Sequence, residues 1–305
     1  VNRLSMTCRA GFLLIAAVMM VLPRNASASV VIEDDTGSRV SLDQPARRII
    51  PLYGAFAEML FTIGAGDRLV GRTQADQYPP GIEKLPSVGT HMRPNIEMII
   101  GFKPDLVIQS ATRGDTAVDL ERLRAAGIPV AVFAPRTFEG IFSTMTRLGI
   151  LAGKEKEAGK VVSGLEERLK EVKKRRSGAG DVPRVFFEIR AEPLTGAGQG
   201  SIVDRIIEAA GGINVLRNER AIVQYSLEAL LLEAPDFYVV QVGPMNRNPV
   251  DPAKRTHFDR LKAVRGGRVM FADEFIFSRP GPRCVDAVEQ LADMLHPTGP
   301  RSVSR

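Results

Sequence analysis

The sequence predicts an α/β protein of two lobes, each a central, mostly parallel sheet with flanking helices, joined by one long helix. Three observations predict it. Strand-like and helix-like segments alternate from residue 47 to 135 and again from 184 to 295, the order that parallel strands with covering helices require. Between these runs, from Phe138 to about Arg176, only helical periodicity occurs. Finally, "NIEMIIGFKPDLVI" (95–108) is answered by "SLEALLLEAPDFYVV" (226–240). Glu97, Pro104 and Asp105 recur as Glu228, Pro235 and Asp236, each 131 residues further on (97 to 228, 104 to 235, 105 to 236). One supersecondary unit is used once in each half.

Residues 30–42, "VVIEDDTGSRVSL", read as a hairpin of two β-rich runs around Asp35, Thr36 and Gly37. "RRIIPLY" (47–53) is a strand, "AFAEMLFTIG" (55–64) a helix stopped by Gly64, and "RLVGRT" (68–73) a second strand. A helix over 96–102, N-capped by Asn95, leads into the strand "DLVIQS" (105–110). "TAVDLERLRAAG" (116–127) is a helix ended by Gly127, and "IPVAVFAP" (128–135) is the next strand. The long helical stretch follows. Counted from Lys154, its second part is about 34 Å long, with Val161, Val162, Leu165, Leu169 and Val172 on one stripe. The second lobe then reads as strand (184–189), helix (201–212), helix (227–233, N-capped by Ser226) and strand (236–243). A loop to about Pro252, a strand (268–273) and a last helix from Val285 to Leu295 complete it. The expected divisions are a signal peptide (1–28), an N-terminal lobe (29–137), connecting helices (138–178), a C-terminal lobe (179–297) and a loose tail (298–305).

The first 28 residues predict export. Arg3 and Arg9 precede an apolar run from Phe12 to Leu22, no acidic residue occurs before Glu33, and Ala26 and Ala28 are spaced as a small-residue cleavage site. As a helix that run would be only about 16 Å long, too short to span a bilayer. Cleavage removes Cys8 and leaves Cys284 alone, so no intramolecular disulfide is available and stability must come from a packed core. Cys284 opens an apolar helical run and reads as core, not as a nucleophile. The net charge of +6 falls to +3 once Arg3, Arg9 and Arg24 are gone, which is no nucleic-acid footprint.

Taken in order, the hairpin, "RRII", Glu97 with "PDLVI", the long helix, "GSIVDRIIEAAGG", Glu228 with its Pro-Asp, and "SRPGPR" resemble periplasmic substrate-binding proteins of metal-chelate ABC importers. Those importers serve ferric siderophores, cobalamin and haem. The likeness covers residues 30 to 297 and rests on the order and spacing of the motifs. It implies a periplasmic, bilobal monomer with a rigid connecting helix, little hinge motion and no cofactor of its own. It further implies a chelate held between the lobes and a membrane permease as partner. A glutamate on each lobe would dock into basic pockets of that permease, and Glu97 and Glu228 fall on those positions. A carboxylate in a first helical turn also gains about 0.3–1 kcal/mol from the helix dipole, so the residues alone leave both roles open. The stripes Ile96, Ile99, Ile100 and Leu227, Leu230, Leu231 are expected to turn inward, leaving both carboxylates to solvent.

Ligands of α/β lobes lie at strand ends, and here those ends are rich in arginine. Arg72, Arg113, Arg136 and Arg190 each follow a strand signal, Arg93 lies in "GTHMRP", and Arg247 and Arg279 lie in later loops. Guanidinium forks suit carboxylate, phosphate or catecholate oxygens. The candidate ligand-binding residues are Tyr53, His91, Arg93, Arg113, Arg190, Arg247 and Arg279, with Arg113 and Arg190 expected to face each other across the cleft. Phe56 would add to the apolar floor. His91 sits in the loop before the first docking helix, where the resemblance implies a ligand-contacting side chain. Three histidines, none at metal-ligand spacing, argue against a bare zinc site.

"EPLTGAGQGS" gives G-x-G-x-G, one residue short of the dinucleotide fingerprint, and is expected to line the cleft with backbone amides. The reading that results is a non-enzymatic importer component carrying an anionic metal chelate, with a ferric siderophore first. Cobalamin or haem is the near alternative. A chelatase-like enzyme is the alternative from another class, and it would need a general acid or base with a carboxylate partner, where only His91 offers itself.

Overall fold

The computed structural model describes residues 29–111, 116–175 and 181–297. The expected signal peptide, Arg113 and the tail lie outside the described residues. The chain opens on an antiparallel hairpin, β1 (Val30–Glu33) and β2 (Arg39–Leu42). Its turn does more than reverse the chain. Asp34 accepts the backbone N–H groups of Thr36 and Ser38, and its second oxygen accepts that of Val132 at 3.0 Å. Asp35 accepts from Ala134 N at 2.6 Å. The two carboxylates thereby close a sheet edge that would otherwise present unpaired donors.

That edge is β5 (Val130–Phe133) of a parallel three-stranded sheet, ordered β3 (Ile49–Pro51), β4 (Leu106–Ser110), β5. Its strands are buried almost throughout, as a parallel sheet covered on both faces must be. Around them pack α1 (Gly54–Thr62), α2 (Ile96–Gly101) and α3 (Thr116–Ala125). The segment 68–73, expected as a strand, touches strand neighbours only through the single bridges Ile49–Leu69 and Arg72–Ser87. Arg72, one of the strand-end arginines, spends its guanidinium on the carbonyls of Leu85 and Thr73 and braces this loop.

Two helices connect the lobes, α4 (Phe138–Leu151) and α5 (Glu155–Arg175). The chain turns between them at Gly153, whose φ of +56° favours glycine. At 21 residues α5 is about 32 Å long. It buries Ala158, Leu165 and Val172, each seven residues apart, and half-buries Val161, Val162 and Leu169. Arg168 joins it to the last helix through Asp286 and Glu289, at 2.5 and 2.6 Å.

The C-terminal lobe comprises β6 (Arg184–Arg190), β7 (Thr195–Ala197), α6 (Ile202–Ala209), β8 (Ile213–Asn214), β9 (Ile222–Gln224), α7 (Leu227–Glu233), β10 (Phe237–Val242), α8 (Lys262–Arg265), β11 (Val269–Asp273), α9 (Glu274–Phe277) and α10 (Cys284–Leu295). Its sheet runs β11-β10-β6-β7-β9, with β8 beside β6; β7 alone runs antiparallel to its neighbours β6 and β9, and the other pairings are parallel. The glycine run does not line the cleft. A Cβ at Gly198 or Gly200 would collide with the carbonyls of Arg220 and Glu219, and the N–H groups of Gly198 and Gln199 already donate to Ala221 and Asn218. These glycines allow close packing of two chain segments, and the amides of Gly198 and Gln199 are spent there.

The repeated Pro-Asp acquires a physical reason. Asp105 accepts the N–H groups of Arg47 and Arg48 at 2.8 and 2.9 Å, while the Arg48 side chain donates to the last carbonyls of α2 at Phe102 and Lys103. In the other lobe Asp236 accepts Arg184 N at 3.0 Å, and Arg184 donates to Glu233 O at the end of α7. Each unit thus staples a helix end and a strand start to the neighbouring parallel strand. The residue before each proline, Lys103 or Ala234, is left-handed, with φ of +48° and +44°. A non-glycine residue there costs about 1–2 kcal/mol. Ala234→Gly should therefore raise stability by up to about 1 kcal/mol in a chemical denaturation midpoint; a loss would mean the corner is unstrained.

One apolar cluster runs through both lobes. It joins Phe56, Met59 and Leu60 of α1 and Met145 and Leu148 of α4 to Leu165 of α5, Phe187 of β6, Ile206 of α6 and Val288 and Leu291 of α10. Two smaller clusters lie under the outer face of each lobe.

Candidate ligand-binding cleft

The C-terminal ends of β3, β4 and β5 open on a cavity of about 240 Å³. Tyr53 and Phe56 follow β3, Ser110 ends β4, Phe133 ends β5 with Arg136 just beyond it, and Pro280 closes it from the other lobe. Tyr53 stands edge-on to Phe56 and tilted against the His91 ring, each at 5.7 Å between centroids. Burial pushes the Tyr53 phenol up to about 12, so it remains a neutral donor.

His91 is held by its loop. Thr90 and Arg93 exchange backbone bonds at 3.2 Å, and Gln109 at the end of β4 donates to His91 O, also at 3.2 Å. The turn requires glycine at position 89, where φ is +97° and a Cβ would meet Arg93 O at 2.6 Å. Burial, and secondarily the nearby Arg279 guanidinium, lower the His91 pKa, against an opposing pull from Asp76. At neutral pH the imidazole is uncharged and keeps a free nitrogen lone pair.

The arginines divide into two groups. Arg93, Arg190 and Arg247 are exposed and, among the described residues, pair with no carboxylate; none of them lines the cavity. Arg136, also exposed and unpaired, does line it. Arg279 is engaged elsewhere. It stacks on Phe275 of its own lobe at 4.1 Å and donates to Ala75 O of the other lobe at 3.3 Å. The expected facing of Arg113 and Arg190 involves a residue outside those described.

Asp76 and Glu58 are the residues that sequence reasoning missed. Asp76 is 3% exposed, takes Thr73 N on one oxygen and has no partner on the other. Burial raises its pKa, opposed by Thr73 and Arg279. Glu58, also 3% exposed, bonds Arg283 across the lobe boundary at 2.8 Å. No local pattern signals the Glu58 contact, since Arg283 lies 225 residues further along the chain.

On the outer surface, Glu97 and Glu228 are exposed in the first turns of α2 and α7. Asn95 and Ser226 cap those helices, accepting from Met98 N and Ala229 N. The inward stripe of α2 is narrower than expected: Ile96 and Ile99 are buried, but Ile100 is 39% exposed beside Met98, because this six-residue helix offers only two core-facing positions. Cys284 is buried, with its thiol pushed up to about 12 by burial, and donates to Arg279 O; it is no nucleophile. Among the described residues no three His, Cys, Asp or Glu side chains group as a metal site, and no helix is long and apolar enough to cross a membrane.

A sequence model of the periplasmic binding protein family matches residues 49–274. The chain is 28% identical over 273 residues to the uncharacterized ABC transporter substrate-binding lipoprotein YvrC of Bacillus subtilis, covering 88% of this chain and 86% of that protein. It is 28% identical over 262 residues to the vitamin B12-binding protein of Vibrio cholerae, covering 85% and 93%. Among solved structures, the periplasmic heme-binding protein BhuT in complex with two hemes superposes with a TM-score of 0.71 at 25% identity, covering 81% of this chain and 98% of that one.

Proposed function

The chain belongs to the periplasmic binding protein family, and from that premise we propose that it is the substrate-binding component of an ABC importer whose cargo is a metal-centred tetrapyrrole, a corrinoid or a haem. It is a binding protein and performs no chemistry. The reading departs from the siderophore expected on arginine content alone. The observation that carries it is the neutral His91 beside Tyr53 in a cavity walled by Phe56, Phe133 and Pro280. A ferric siderophore surrounds its metal with its own charged oxygens and has no use for an imidazole lone pair or aromatic walls. A tetrapyrrole presents a flat apolar face to such walls and an axial position to such a nitrogen. Its peripheral acids or amides would then accept from Arg136 at the cavity. The relatives named for vitamin B12 and heme support the same class. Residues 1–28 would be removed on export, and Glu97 and Glu228 would meet the permease.

Titration of the purified protein with haemin, cyanocobalamin and a ferric catecholate tests this directly. The expected result is a saturable shift of the Soret or corrin bands with one of the first two and none with the third. Arg136→Ala should weaken that binding about ten- to hundredfold, and His91→Ala should alter the bound spectrum. Binding of the ferric catecholate alone would return the cargo to the siderophore class.

A further inference from the structure

We propose that the segment Arg279 to Arg283 is a clasp that sets the angle between the lobes, with Glu58 as its anchor. In α1, Ala55, Phe56, Ala57, Met59 and Leu60 are all fully buried, and Glu58 lies among them. A carboxylate so placed is strongly destabilising unless it is paired. Its cation comes from the other lobe: Arg283, at the start of α10, gives Nη2 to one Glu58 oxygen at 2.8 Å and its backbone N–H to the other at 3.3 Å. The same guanidinium lies 4.0 Å over the ring of Tyr78, another residue of the N-terminal lobe. Four residues earlier, Arg279 reaches the N-terminal lobe at Ala75 O.

The second station is set but not yet joined. A Cβ at Gly54 would sit 2.6 Å from Asp76 Oδ1 and closer still to Arg279 Nη1. Donor and acceptor therefore flank the same glycine, one from each lobe, and the Asp76 oxygen has no other partner. Both stations act across the lobe boundary, and α5 adds a further tie through Arg168 to Asp286 and Glu289 of α10.

Double electron–electron resonance between spin labels at Val118→Cys and Leu232→Cys, exposed sites on the two lobes, tests the clasp in a Cys8→Ser background. Cys284 escapes labelling because its thiol is buried and pushed up to about 12. The unvaried clasp should give one narrow distance. Glu58→Gln and, separately, Gly54→Ala should broaden it and add a longer component. The second variant guards against simple misfolding: alanine suits a helix's first turn, yet its methyl must displace Arg279 or Asp76. Arg265→Ala, at an exposed residue of α8 outside both the clasp and the cavity lining, serves as the control that leaves the distance unchanged. A narrow, unshifted distance in both clasp variants would overturn the proposal. A second arm rests on the tetrapyrrole reading: Glu58→Gln should bind haemin or cyanocobalamin more weakly, by about tenfold if about nine-tenths of the population must first re-close. If neither probe binds the unvaried protein, that reading falls, while the distances still decide the clasp.

Discussion

Reversing both lobe-top glutamates, Glu97→Arg together with Glu228→Arg, should abolish uptake through the cognate permease while leaving cargo affinity unchanged. Both carboxylates are exposed, each in the first turn of a capped helix, one on each lobe and outside the cavity. A single exposed ion pair contributes little, about 0–1 kcal/mol. Two matched pairs at fixed spacing do more, since they orient the encounter and raise its rate. Glu97→Ala or Glu228→Ala alone should therefore slow uptake, the double alanine variant should slow it further, and reversal should be worst because like charges then face each other. Reconstituted vesicles loaded with permease and ATPase would measure this as the initial rate of cargo entry. Normal entry with the doubly reversed protein, folded and cargo-competent, would reduce both residues to partners of their helix dipoles.

The largest stability effect should come from Glu188→Ala. Glu188 is fully buried near the end of β6, where it accepts from the Tyr238 hydroxyl, from Asn246 and from both ends of the Arg255 guanidinium. Arg255 is itself only 10% exposed and lies 5.2 Å from the centre of the Phe258 ring. Removing the carboxylate leaves the buried Arg255 cation without a counter-charge and the Tyr238 hydroxyl without its acceptor, while Asn246 keeps Gln241 O. Breaking one side of such a pair costs about 3–5 kcal/mol, which lowers the melting temperature by roughly 6–20 °C in a protein of this size. The network also ties down the 244–258 loop that carries Arg247, so cargo affinity should fall too. A melting temperature within about 2 °C of the unvaried protein would show the network to be dispensable.

Much of this architecture is legible in local pattern. The long α5 stripe, the two N-caps and most of the alternation depend on neighbours within a turn or two and appear as read, whereas the Pro-Asp repeat is visible as a pattern but joins residues more than 50 positions apart. The failures have a common cause. Thr195–Ala197 and Ile222–Gln224 form strands without an alternating apolar face: β7 pairs with β6, and β9 pairs with β7 at the sheet's edge. Residues 68–73 carry the pattern of a strand, but Arg72 finds carbonyls nearby and the sheet is not extended. Tyr53, His91 and Arg136 could be proposed from strand ends, whereas the pairing of Glu58 with Arg283 spans the whole chain. Arginine at a strand end is also ambiguous by nature: Arg136 lines the cavity while Arg72 braces a loop, and only the third dimension separates the two.

The apolar cluster that passes from α1 through α5 to α10 makes the two lobes one thermodynamic unit. Neither lobe keeps a complete interior when the other is deleted, since Phe56, Leu165 and Leu291 belong to the same packed mass. Heating should produce a single calorimetric transition whose enthalpy matches the van't Hoff value. Limited proteolysis should trim the chain without releasing a folded half. A library that recombines lobes from different relatives will therefore succeed only when the residues of α5 and α10 travel with both partners, because specificity and stability are written into the same side chains.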